Sequence, residues 1–97
     1  MRFEWDEHKN AVNLAKHGFD FADAFRLFES PLLTALDERE DYGESRIIGL
    51  GLLNGRTVVI VFTEPDDETI HMISMRKALS QEQRRYEQYL KNELGAD

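Results

Sequence analysis

The sequence predicts an α+β domain: two N-terminal helices, a four-stranded antiparallel meander sheet and a C-terminal helix. Three observations carry that reading. Asn54-Gly55 joins two strand-forming runs, and this dipeptide suits a type I′ turn because both central residues need φ > 0. Val58–Phe62 is apolar without polar alternation, the mark of a central strand covered on both faces. The two ends of the chain carry helix start and stop signals instead.

Asp6 is placed to cap a first helix that Gly18 ends, with Lys16 and His17 in the last turn, where cations suit the helix dipole. Asp20 caps a second helix with Asp23 in its first turn. Ala24, Phe25, Leu27 and Phe28 form its apolar stripe, and Ser30-Pro31 stops it. Leu32–Asp37 reads as a strand and Glu38–Ser45 as an acidic loop. Arg46–Leu53 and Arg56–Thr63 make the hairpin, Glu64–Glu68 a turn and Thr69–Met75 the fourth strand. Gly49 and Gly51 alternate on one strand face and let a helix come close to the sheet. Ser80 with Gln83 forms a capping box that opens a last helix from Gln81 to Glu93. Short links between the later strands imply antiparallel pairing, and no linker or repeat divides residues 1–97, so one domain is expected.

Composition narrows the chemistry. The chain is 41% hydrophobic and 32% charged, a globular balance. It has no cysteine, which excludes disulfides, iron–sulfur clusters, thiolate zinc sites and a cysteine nucleophile. No apolar run is long enough to span a bilayer, and Glu4, Asp6 and Glu7 stand where a signal peptide would be apolar. A soluble, cytoplasmic protein is therefore expected. His8, His17 and His71 lack metal-ligand spacing, so neither a metal nor another cofactor is expected. The net charge of −7 argues against a nucleic-acid ligand, but it is unevenly spread. Residues 18–45 hold eight acids and two bases, whereas residues 71–91 hold five bases and two acids.

Phe3-Glu4-Trp5-Asp6-Glu7, Lys9, Asn13, Lys16-His17-Gly18, Phe21 and Ala24 resemble the opening signature of the BrnT toxins. The second half agrees through Arg46-Ile47-Ile48-Gly49, Ile73-Ser74-Met75-Arg76-Lys77-Ala78, Glu82, Arg84-Arg85 and Tyr86. The resemblance runs from Phe3 to Tyr89. It implies a RelE-like fold, metal-independent RNA cleavage and neutralisation by a cognate BrnA-like ribbon-helix-helix antitoxin, through which the pair would bind operator DNA. Two positions depart from the pattern. Glu64-Pro65 stands where many members carry a basic residue, and Thr69 and His71 stand where many carry Arg.

RNA can be cut without metal when its 2′-hydroxyl attacks the adjacent phosphorus. That requires a base, an acid for the leaving 5′-oxygen and a cation for the phosphorane charge. Arg76 is the first candidate cation, because its planar fork can hold two phosphate oxygens; the plain alternative is a salt bridge at a strand-to-helix junction. His71 is the natural proton-transfer group. Glu64 is a candidate base or an exposed turn acid, and Arg46 a candidate RNA contact or a strand-end cation. Lys9, Lys16, Lys77, Arg84 and Arg85 are candidate backbone-binding residues, and Tyr86 either stacks on a base or packs on the sheet. Alternation places His71 with Ile73 and Met75 on one face, and Arg76 on the other with Ile70, Met72 and Ser74. Both can serve one site only if a bulge or the strand end re-aims Arg76.

Two functions compete. The first is an endoribonuclease toxin whose acidic Asp20–Glu44 region receives a basic antitoxin. The second is a catalytically weakened homologue that persists as an antitoxin-binding partner and co-repressor. A DNA-binding protein in its own right lacks the basic recognition helix it would need.

Overall fold

The computed structural model describes residues 1–95. Strand β1 spans Arg2–Glu4 and helix α1 Glu7–His17. A 3₁₀ turn at Phe21–Asp23 runs into the short helix α2, Ala24–Leu27. Strands β2 (Leu33–Leu36), β3 (Ile47–Leu53), β4 (Arg56–Asp66) and β5 (Thr69–Lys77) follow, and helix α3 (Ser80–Glu93) closes the chain. The sheet has five strands in the order β1-β5-β4-β3-β2. The α+β class and the antiparallel run of four later strands agree with the sequence; the four-stranded count does not. β1 adds a fifth strand, parallel to β5, so the sheet is mixed. Three residues show too little alternation to read as a strand, and β1 forms only because β5 offers it an edge.

Capping at Asp6 and Gly18 holds. The Asp6 carboxylate accepts from Lys9 N–H at 3.1 Å, and Gly18 ends α1 at φ 79°. The second helix is shorter than expected. Asp20 caps the 3₁₀ turn by accepting from Ala22 N–H, and only Ala24 and Leu27 of the expected stripe are buried; Phe28 is half-buried and Phe25 exposed. Two buried asparagines of α1 tie this corner down. Asn10 accepts from Phe21 N–H and donates to Asp20. Asn13 accepts from Met75 N–H at 3.1 Å and donates to Met75 O at 3.0 Å and Phe19 O at 3.1 Å. Its carboxamide thus replaces a strand partner on the edge of β5 where β1 has ended.

The central strand is covered on both sides, as expected. Phe21, Ala24, Leu27, Val58, Ile60, Phe62, Ile70, Met72 and Met75 pack on the face beneath α2, and Leu50, Val59, Ala78 and Tyr86 on the face beneath α3. At Gly51 a Cβ would meet Leu27 Cδ2 at 3.0 Å, so glycine there sets the distance from α2 to the sheet. Two boundaries are corrected. β4 continues through Glu64 and Pro65 to Asp66 rather than turning at Glu64. The cap of α3 is Leu79, not Ser80. The Glu82 carboxylate, three residues on, accepts from Leu79 N–H at 2.8 Å, so the reaching-back role expected of Gln83 belongs to Glu82.

Candidate active site

A bulge in β5 decides which side chains share the α3 face. Val61 pairs with Ser74 and Phe62 with Met72, leaving Ile73 as the extra residue. The phase of β5 changes there. Met75 joins Ile70 and Met72 in the core beneath α2, and Arg76, opposite Val59, comes to the α3 face. His71, opposite the buried Thr63, already lies on that face. The bulge therefore puts His71 and Arg76 on the same side. They do not meet: five residues at about 3.3 Å each separate them by roughly 16 Å.

Around His71 the register assembles a polar row across all five strands. Glu4 pairs with His71 and His71 with Thr63. Arg46 precedes Ile47, which pairs with Phe62, and so comes beside Thr63 in the antiparallel register. Asp37 completes the row, its N–H donating to Arg46 O at 2.8 Å. With adjacent strands about 4.8 Å apart, the His71 and Arg46 backbones lie roughly 10 Å from each other, with Thr63 between them. That gap suits a phosphate held between two side chains.

Four basic groups around this face lie beside a carboxylate. His71 Nδ1 lies 2.8 Å from Glu4 Oε2. Because a carboxylate only accepts, Nδ1 carries the proton and Nε2 is the nitrogen left to act. Arg76 donates to both oxygens of Glu82, each at 2.9 Å, and this pairing raises the Arg76 pKa while holding the Glu82 carboxyl below its usual range. Arg39 grips Asp37 through Nε and Nη2, both at 2.7 Å, and the Asp37 pKa falls from 3.8 to about 2. Tyr42 Oη also donates to Asp37, and the Arg46 guanidinium lies 3.9 Å over the Tyr42 ring, 3.5 Å from Glu44. Arg39 is close enough to Arg76 for its charge to oppose the rise in the Arg76 pKa.

The remaining expected residues separate. Lys9 and Lys16 line an open groove with His8, Val12, Asn13, His17, Ile73 and Ser74, between α1 and the edge of β5. Ser74 carries that groove onto the α3 face. Arg85 lines a hollow beneath α3 with Glu82. Lys77 and Arg84 are exposed. Glu64 is a correction: it is exposed on β4 next to Thr63, and strand alternation turns it to the α2 side, away from the row. Tyr86 is a correction: its side chain is 0% exposed and its hydroxyl donates to Pro31 O at 2.7 Å, so it is a core residue and has no face to stack on a base.

Sequence reasoning missed Glu4, Asp37, Arg39 and Tyr42 as parts of this face. Only Asp37-Glu38-Arg39 held a signal, an acid and a base spaced to meet at a strand end. The others become neighbours only through strand register.

A profile described as "Ribonuclease toxin, BrnT, of type II toxin-antitoxin system" matches residues 5–82. The 1.1 Å crystal structure of the Brucella abortus ribonuclease toxin BrnT is similar, with a TM-score of 0.64 and 34% identity over 82% of this chain and 99% of that one. No curated protein matches. The profile spans α1, β2–β5 and the first turn of α3, which together hold the bulge, most of the polar row and the Arg76–Glu82 pair. The chain belongs to the BrnT family of ribonuclease toxins of type II toxin–antitoxin systems.

Proposed function

We propose that this chain is a metal-independent endoribonuclease that works on the α3 face and is neutralised by a BrnA-like ribbon-helix-helix antitoxin. The observation that supports it most directly is the row Glu4–His71–Thr63–Arg46, with Arg76 farther along the same face. His71, oriented by Glu4, takes the proton of the 2′-hydroxyl. The 2′-oxygen bonds to phosphorus and the 5′-oxygen leaves with a proton, giving a 2′,3′-cyclic phosphate and a 5′-hydroxyl. Arg46 and Arg76 meet the phosphorane and a neighbouring phosphate, and solvent water supplies the proton that the leaving 5′-oxygen takes up. Lys9 and Lys16 guide the RNA backbone along the α1 groove, and Lys77, Arg84 and Arg85 add positive charge at the α3 end. The reaction takes place in the cytoplasm. Operator DNA is met only through the antitoxin, which approaches from the acidic Asp20–Glu44 side.

The alternative, a weakened toxin that serves as antitoxin partner and co-repressor, is favoured by one observation: Arg76 is already held by Glu82. Purified protein without antitoxin, incubated with RNA in EDTA, separates the two. Cleavage by wild type that falls about 10²–10³-fold in Arg76→Ala or Arg46→Ala supports the enzyme. An inactive wild type that still binds antitoxin leaves the co-repressor reading.

A further inference from the structure

β2 is an open edge. In an antiparallel ladder, residues that bond inward alternate with residues whose backbone groups face away. Asp37 N–H bonds inward to Arg46 O, so Ala35 and Leu33 bond inward too, and Thr34 and Leu36 turn their N–H and C=O outward. Among the described residues nothing is seen to bond them. Edges are usually blunted by charge, proline or a bulge, and Leu33–Leu36 has none of these. Leu36 is 61% exposed. Beside the edge, on the α3 face, lies a hollow of about 160 Å³ lined by Leu33, Ala35, Ile48 and Leu50, with Glu82 and Arg85 at its rim. The loop that leaves β2 carries Glu38, Glu40, Asp41 and Glu44, all exposed.

We propose that the β2 edge is the strand on which the antitoxin docks. An extended antitoxin segment pairs with Thr34 and Leu36, seats an apolar side chain in the hollow and lays basic residues across Glu38–Glu44. The proposal rests on the toxin–antitoxin reading above. The charge selects this occupant. RNA is repelled by the acidic loop, and a second copy would bring the same four acids and a net charge of −7. A strand laid there abuts the Asp37–Arg39 pair on one side and Glu82 on the other, so it closes the α3 face to RNA while it binds.

The test uses the full chain and the antitoxin co-expressed with it from the native gene pair. Thr34→Pro removes an outward N–H without breaking the ladder to β3, and Ala35→Glu fills the hollow with charge. Each is expected to weaken antitoxin binding by about 30-fold or more, with RNA cleavage by the free protein unchanged. In the wild-type complex the Thr34 and Leu36 amides should exchange slowly with deuterium. If Thr34→Pro fails to fold, Ala35→Glu and the exchange data decide. Binding of both variants within about 3-fold of wild type, with wild type still neutralised, overturns the docking strand and leaves the toxin reading standing. Loss of a homodimer in Thr34→Pro with antitoxin binding intact assigns the edge to a second copy and also overturns it. A wild-type chain that neither cuts RNA nor binds the antitoxin overturns both readings.

Discussion

Arg76 and Glu82 form a two-pronged ion pair across the turn from β5 into α3, with both contacts at 2.9 Å. The pair does two jobs. It holds the guanidinium on the α3 face, and Glu82 also accepts Leu79 N–H to start the helix. The cation proposed to meet RNA is thus already partnered, so a phosphate would have to compete with a carboxylate for it.

Glu82→Gln keeps an oxygen for Leu79 N–H and removes the competing charge. On an uncleavable 2′-deoxy oligonucleotide, the plot of log Kd against log salt should steepen by about 0.7, the increment for one more phosphate contact on a single strand. Arg76→Ala made on top of Glu82→Gln should take that increment away again. No change in slope for either variant would remove Arg76 from the RNA-binding face.

His71→Ala should cut the cleavage rate by about 10²–10⁴-fold, the usual loss of a positioned acid or base. Glu4→Gln keeps a partner for Nδ1–H but no negative charge, so a smaller loss of rate is expected. A Glu4→Gln rate equal to wild type would mean that the pair is structural only.

Asn13→Ala leaves the backbone of Met75 and the carbonyl of Phe19 without their partners in a buried corner. Unfolding in urea should show a loss of roughly 2–4 kcal/mol. A loss below about 0.5 kcal/mol would mean that water or a shifted β1 replaces the carboxamide.

Tyr86→Phe removes the bond to Pro31 O and nothing that faces solvent. It should cost about 1–2 kcal/mol of stability and leave RNA affinity unchanged. A fall in affinity without a fall in stability would restore the stacking role.

Asp37 sets an acid limb. Its folded pKa, about 2, lies below its ordinary 3.8, so its ionised form favours the folded state. That contribution is fully present above pH 3.8 and is lost as pH falls toward 2. Urea midpoints of wild type and Asp37→Asn should therefore differ at pH 5 and converge near pH 2. A constant difference across that range would mean that Asp37 acts by shape and not by charge.

Local sequence alone determined the caps of α1, the Asn54-Gly55 hairpin, the buried central strand and the position of the last helix. Each depends on residues a few positions apart: a side-chain oxygen near a loose N–H, a turn that needs φ > 0, an unbroken apolar run. Tertiary structure decided the rest. β1 is three residues that become a strand only beside β5, and the first turn of the expected second helix is a 3₁₀ turn whose cap, Asp20, is held by Asn10 of α1. The site is the clearest case. Arg76 and His71 reach one face only through the unpaired Ile73, and no local property of Ile73 marks it as the residue that drops out of register. The row Glu4–His71–Thr63–Arg46–Asp37 takes three residues from β1, β5 and β4 and two from the chain just outside β3 and β2, so it exists only once every strand has found its neighbour.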